Sequence, residues 1–224
     1  MEVEWKGDRA MMTRMKTVVW TVVGLAASVG IFAQTEGVKE TERFVKAGGA
    51  TAHEVEQSRL KTKNALDAYN ALVQGKSKDM KDDYKKLLSA QEDMNNQVAD
   101  ARKKVDEMDK EAGVYFAART QAIGQIQDTT MRAKAQSRLD ASKAAYANVK
   151  TSLRSAGDAL PPFTKDLSDQ IKYLGADLTP SAAASLKSQA ETLNKQGATL
   201  FAQLDAAVTT ANKYFGTLKA DSAA

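Results

Sequence analysis

Residues 70–77 come close to a phosphate-binding loop, because they end in Gly75, Lys76 and Ser77. Such a loop also requires a glycine where Asn70 stands and a β-strand before it, so that backbone amides can surround the phosphates. The residues before Asn70 follow a helical pattern instead. We therefore interpret this stretch as a helix that Gly75 stops, followed by a turn.

A second stretch, His53 to Gln57, resembles the start of a zinc-protease helix. That motif requires a second histidine where Gln57 stands, so that two ligands reach one metal from the same helix face. His53 is the only histidine in the chain, which also excludes catalytic triads that contain histidine. We predict that His53 lies at a helix terminus without a metal.

Three methionines, Met80, Met94 and Met108, recur at intervals of two heptads, as in a thioether copper site. The same helical stripe also holds Tyr84 and Leu87. Because methionine packs well into irregular apolar gaps, we predict that these side chains fill a core.

The remaining reactive side chains give no catalytic pattern. Carboxylates such as Asp82 and Asp106 are interleaved with lysines at helix-surface spacing, which is typical of solvated faces. With no cysteine, the chain has no thiolate nucleophile and no thiolate metal ligand. The sequence predicts a protein that is not an enzyme and that has no metal and no cofactor.

The segment from residue 113 to residue 138 is the best candidate for a binding site. This segment contains four basic residues but only one acidic residue, Asp128, and they lie among aromatic and aliphatic residues in the sequence. We predict contact with an acidic partner or an anionic membrane surface, with pairing across the hairpin as the alternative. The predicted contact residues are Tyr115, Phe116, Arg119, Ile123, Arg132, Lys134 and Arg138.

Periodic apolar positions place these residues on long helices. Fourteen positions from Met80 to Ile126 alternate in steps of four and three, a coiled-coil-like pattern, and two similar stripes follow. Only 3 prolines and 6% aromatic residues favour helices over strands. The predicted fold is all-α, with about four helices.

Capping residues predict where these helices begin. They are Thr51, in a capping box with Glu54, then Ser77, then Asp128 or Thr129, and finally Thr179 before Pro180. Within the third helix, Pro161 and Pro162 predict a kink or a short break.

Short connections between such helices predict an elongated antiparallel bundle built from coiled-coil hairpins. Helices two and three, each of about 50 residues, would extend roughly 75 Å at ~1.5 Å per residue. The first helix would cover only half of the second, so that the hairpin around Asp128 projects as a thinner tip.

The amino-terminal residues 1–33 match a secretory signal peptide. Arg14 and Lys16 precede an uncharged run over residues 17–33, and Ala33 gives a cleavage site. The start of translation could lie later, at residues 11–15. We predict an exported, periplasmic protein; the alternative is an inner-membrane anchor formed by residues 17–33, although a span needs about 20 apolar residues. We further predict a flexible linker at 34–50, a helical bundle at 51–219 and a tail at 220–224.

The third and fourth helices resemble the bacterial family called domain of unknown function 2959, whose members are secreted and rich in helix. The similar residues are Leu160-Pro161-Pro162-Phe163, Asp169-Gln170-Ile171-Lys172-Tyr173-Leu174, Leu178 and Ser185-Leu186. In the family a Lys-His-Asn run follows the Tyr-Leu pair, whereas this chain has Gly175-Ala176-Asp177. The resemblance implies export and a helical fold, and it implies no known activity.

These features together favour a non-enzymatic interaction or scaffold protein of the cell envelope. A chaperone-like protein, or one that binds lipid or a membrane surface, is the alternative. The 32 basic and 28 acidic residues are mixed and leave a charge of only +4, which gives no case for specific nucleic-acid binding. The expected partner is an unknown envelope protein or an anionic membrane surface, and self-association is compatible with the heptads.

Overall fold

The computed structural model describes residues 12–75 and 78–223, and the side chains of residues 37–75 and 78–222. The described residues form five α-helices and no strand, which confirms the all-α prediction. The helices are α1 (Met12–Val73), α2 (Met80–Gly124), α3 (Thr129–Ala176), α4 (Pro180–Ser185) and α5 (Lys187–Ala223).

The long helices pack antiparallel to their neighbours, as predicted. Along α1 and α2, the Thr51 hydroxyl lies 2.8 Å from the Lys104 carbonyl oxygen, and Lys61 Nζ lies 2.8 Å from Asp93 Oδ2. Residue numbers increase along α1 in the direction in which they decrease along α2, so the two helices are antiparallel. Helices α3 and α5 are paired in the same sense. An elongated bundle results, because each long helix lies beside another over most of its length.

The predicted flexible linker at residues 34–50 is wrong. Helix α1 passes through this segment without interruption, and within it Phe44 is fully buried in the core. Thr51 does not cap a helix, because its hydroxyl lies within hydrogen-bonding distance of the carbonyl oxygens of Ala47 and Lys104. His53 consequently lies in the middle of α1, exposed to solvent, rather than at a helix terminus.

The extension of α1 also removes the predicted thinner tip. Near the α2–α3 hairpin, Arg119 on α2 approaches Thr41 on α1, with 3.4 Å between the guanidinium nitrogen and the hydroxyl oxygen. Leu218, near the end of α5, lies beside Leu139 on α3 in the same region. All four long helices therefore approach this end of the bundle, which we call the hairpin end.

The ends of the helices follow local capping chemistry. Gly75 has a φ of +69°, so it stops α1 as predicted. Asp128 caps α3 and Thr179 caps α4, because their side chains accept backbone N–H groups. Asp79, rather than the predicted Ser77, caps α2 by accepting the N–H groups of two residues. Ser77 lies outside the described residues.

Two further predictions about helix continuity need correction. At Pro161 and Pro162 the sequence predicts a kink or a short break, and the break is wrong because helix α3 continues through both residues. Both prolines lie on the exposed side of the helix, where their rings do not disturb the core. The predicted fourth helix is instead divided at Leu186 into the short α4 and the long α5.

The core runs the length of the bundle and includes an aromatic cluster toward the hairpin end. Met94 and Met108 are fully buried in it, as predicted for core methionines. Phe44 occupies the centre of the aromatic cluster, and five rings lie 5.0–6.1 Å from its centroid. Those rings belong to Tyr115, Phe116, Tyr146, Tyr214 and Phe215.

Candidate functional site

Four of the seven predicted contact residues line one open cleft at the hairpin end. Tyr115, Arg119 and Ile123 reach it from α2, and Arg138 reaches it from α3. We call this space, of about 620 Å³, the hairpin-end cleft. The remaining lining residues are Ala122, Ile126, Ala135, Leu139, Ser142, Leu218, Asp221 and Ser222.

The other predicted residues lie outside this cleft. Phe116 is partly buried against the core, with its ring 5.9 Å from that of Phe44. Arg132 and Lys134 lie on the exposed first turns of α3. Tyr115, which does line the cleft, is only 5% exposed. Tyr115 and Phe116 therefore belong mainly to the core beside the cleft, whereas Arg132 and Lys134 are exposed to solvent.

The cations of the hairpin end have few partners of their own. The Arg119 guanidinium lies 5.5 Å from the centroid of the Tyr115 ring, a cation–π geometry that keeps its charge near the cleft. Arg132, Lys134 and Arg138 are exposed and form no ion pair within residues 37–75 and 78–222. The alternative interpretation, in which these charges pair across the hairpin, is not observed in this part of the chain.

An exposed apolar side chain beside these cations was missed in the sequence. Met131 is 65% exposed, the largest value among the exposed large hydrophobic residues described. It lies one helical turn before Ala135, the first residue of the α3 stripe. The sequence could have identified Met131 as a large apolar residue that keeps the spacing of the α3 stripe but lies one turn before its first residue, Ala135.

The buried tyrosines in the core beside this end are held in their neutral form. Burial raises the pKa of Tyr146, and the bond of its hydroxyl to Asp109 Oδ1 (2.5 Å) raises it further. Burial also raises the pKa of Tyr214 to about 12, although its 3.0 Å hydrogen bond with Ser142 acts in the opposite direction. Ionising these hydroxyls would place charge in the apolar interior.

We expect the bundle to lose stability as the pH rises from about 10 towards 12. Unfolded tyrosines ionise near pH 10, whereas Tyr214 in the bundle ionises at about 12. A pKa raised by folding stabilises the native state fully below about pH 10, and that contribution is lost as the pH rises through the folded pKa. Denaturant unfolding at about pH 8 and about pH 11 measures the loss. Tyr214→Phe should reduce it; an unchanged loss would contradict the assignment.

The structure brings no metal-binding set together in the part of the chain that it describes. Within those residues, no group of three or more histidine or acidic side chains is placed to hold an ion. Across the same residues, no helix has both the length and the apolar character needed to cross a membrane. Of the predicted signal peptide at residues 1–33, residues 1–11 and all side chains lie outside the described part.

One comparison with known proteins is informative. A family model described as "Protein of unknown function (DUF2959)" matches residues 32–218. The chain belongs to this family. The resemblance found in the third and fourth helices is thereby confirmed over most of the chain. Because the DUF2959 match begins at residue 32, it includes the segment that we had expected to be a linker. No curated protein and no solved structure matches the chain significantly.

Proposed function

We propose that this DUF2959 protein is a non-enzymatic interaction protein of the cell envelope that binds an acidic partner protein through its hairpin end. One observation carries the proposal: exposed cations without ion pairs lie beside an open cleft. Arg119 and Arg138 line the cleft, and Arg132 and Lys134 lie on the exposed first turns of α3, just before the lining residue Ala135. Two arginines and one acid, Asp221, leave the lining of the cleft net positive, so the surface is complementary to carboxylates.

The hairpin end differs from the other charged faces because its unpaired cations lie at an open cleft. Several lysines elsewhere have acidic neighbours, as Lys61 has Asp93 and Lys150 has Asp109. A cation without a neighbour gains more from an incoming carboxylate, because no existing pair must be broken. Arginine is also enriched in protein interfaces, where its planar group binds carboxylates with two hydrogen bonds. Ile123 and Ile126 add apolar contact area inside the cleft.

The predicted signal peptide supports the envelope as the setting for this partner. Residues 1–33 have the basic, apolar and small-residue order of a signal peptide. The proposal accordingly includes a periplasmic location, with anchoring in the inner membrane through residues 17–33 as the alternative.

A second candidate function is binding to an anionic membrane surface, as a lipid-binding or chaperone-like protein would do. Met131 favours it, because this apolar side chain is 65% exposed between cations of the hairpin end. An apolar residue flanked by Arg132 and Lys134 can enter the lipid interface while the charges contact phosphate groups.

A photo-crosslinker placed at position 131 in the full chain, expressed in its native cells, tests the first candidate. We expect a discrete adduct with one protein in the periplasmic fraction. Arg132→Glu, Lys134→Glu and Arg138→Glu together should reduce this adduct at least tenfold, because three attractive contacts become repulsive. The matched control is Lys78→Glu, Lys81→Glu and Lys85→Glu, which makes the same charge change at the opposite end.

The outcomes separate the candidates. An adduct that survives the hairpin-end reversal, or that the control removes equally, would contradict binding through this end. An adduct with a second copy of the chain would indicate self-association instead of a distinct partner. Cosedimentation with vesicles of anionic phospholipid, lost on the same reversal, would favour the membrane surface. Recovery of the adduct only from the cytoplasm would overturn the envelope location.

A further inference from the structure

A second cleft, of about 480 Å³, opens at the middle of the bundle. All four long helices contribute to it, and we call it the mid-bundle cleft. Its volume lies in the usual range of small-molecule sites, roughly 300–1,000 Å³. Most of its inner wall is aliphatic or thioether surface, from Val55, Val98, Ala101, Val105, Met108, Leu153, Ala156, Leu160 and Leu204.

One polar side chain in this wall, Ser58, has no partner. Ser58 is only 1% exposed, and its hydroxyl oxygen makes no hydrogen bond. The other buried serine or threonine residues of the described chain, Thr41, Thr51 and Thr62, all lie within hydrogen-bonding distance of a carbonyl oxygen. An unpaired buried hydroxyl is destabilising, and native structures contain few of them. Among the buried serine and threonine hydroxyls of the described chain, Ser58 is therefore the exception, and a bound molecule would explain it.

A second group without its usual helical partner belongs to a residue of α3 that lines the same space. Gly157 and Pro161 both line the cleft. Because proline has no N–H, the carbonyl oxygen of Gly157 cannot receive the usual helical hydrogen bond from residue 161. The wall thus offers an acceptor in addition to the Ser58 hydroxyl. A ligand with an O–H or N–H donor fits this pair of groups.

The rim of the cleft is charged but balanced. Arg102, Lys150 and Arg154 supply the positive charges. Three aspartates, at positions 106, 109 and 158, supply an equal negative charge, and Asp109 lies 2.9 Å from Lys150. An equal number of each sign gives no net attraction for a cation or an anion. The rim thus favours a neutral ligand.

We propose that the mid-bundle cleft binds a small, neutral, mainly apolar molecule that carries one hydroxyl or amine group. The apolar body occupies the aliphatic wall, and the polar group bonds to Ser58 Oγ. This site is independent of the hairpin end, which lies at one pole of the bundle. Failure of either proposal therefore leaves the other standing.

The probe for this site is 1-aminoanthracene, a neutral aromatic amine whose fluorescence rises in apolar surroundings. We expect it to bind the full chain, and Ser58→Ala to weaken its binding about fivefold, because one hydrogen bond is lost. The same substitution should raise the Tm of the empty protein by about 2–4 °C, because the unpaired hydroxyl is gone. A hydroxyl with a purely structural role would give the opposite change in Tm.

A matched pair of substitutions on α2 locates the probe. Ala101 is buried and lines the cleft, whereas Ala99 is exposed on the same helix. Ala101→Phe fills the space and should abolish probe binding; Ala99→Phe should leave it unchanged. If circular dichroism shows that Ala101→Phe does not fold, Ser58→Ala decides the question alone.

Three results would overturn the proposal. The first is unchanged affinity of Ser58→Ala for the probe, and the second is undiminished binding to folded Ala101→Phe. The third is tighter binding of the anionic analogue anthracene-1-carboxylate, since this would mean that the rim selects charge.

Discussion

Phe44→Ala should lower the free energy of unfolding by about 3–5 kcal/mol, the usual effect of removing a large aromatic side chain from a core. Phe44 is fully buried and lies among five other rings. Four of those contacts are edge-to-face, an arrangement that adds to the stabilisation from burial alone. The cavity would open between α1, α2, α3 and α5.

Denaturant unfolding followed by circular dichroism measures this change, with Val38→Ala as the control. Val38 lies on the same part of α1 but is 47% exposed, so its truncation should change stability by less than about 0.5 kcal/mol. Equal, small effects at both positions would mean that residues 37–50 do not pack against the bundle. The midpoint and the slope of the transition should both be compared, because a changed slope would indicate a changed denatured state.

Gly48→Ala and Gly49→Ala should change stability in opposite directions, although the two glycines are adjacent. A Cβ atom at Gly48 would overlap the ring of Phe215, which is itself buried in the aromatic cluster and cannot swing away freely. We expect a loss of about 1–3 kcal/mol from this overpacking. At Gly49 a Cβ atom meets nothing within 4 Å. Alanine there should stabilise the helix by about 0.8–1 kcal/mol.

The same unfolding experiment applied to both variants checks this expectation. Any general effect of alanine on helix α1 acts equally at the two positions, so the difference between them isolates the contact with Phe215. Equal stabilisation of both variants would show that α1 does not approach α5 at Gly48. Equal destabilisation would place both glycines in close contacts and would also contradict the geometry described.

The amino-terminal part of α1 escaped prediction because its buried stripe is mostly not apolar. Buried positions recur in steps of three and four through Thr41, Phe44, Gly48, Thr51, Val55, Ser58, Thr62, Ala65, Tyr69 and Leu72. Half of these ten are threonine, serine or glycine, so a search for apolar periodicity passes over them. The threonine hydroxyls donate hydrogen bonds to nearby carbonyl oxygens, and these bonds allow the threonines to be buried. The stripes of α2, α3 and α5 were predictable because nearly all of their buried residues are apolar.

The two candidate sites differ in how far the sequence could predict them. The cations of the hairpin end follow from the local charge balance around Asp128, which is visible in the chain itself. The mid-bundle cleft does not, because its wall combines residues from four helices. That Ser58 lacks a partner depends on the positions of all its neighbours. Only a three-dimensional arrangement can show an unsatisfied group.

The antiparallel order of the helices separates the two poles of the molecule widely. Helix α2 has 45 residues, so the hairpin end, where Met131 lies, is about 68 Å from the opposite end, where Lys78 lies, at ~1.5 Å per residue. Because the chain has no cysteine, one cysteine introduced at either pole would accept a single fluorophore. Energy transfer between labelled copies would then report whether molecules meet head to head or head to tail.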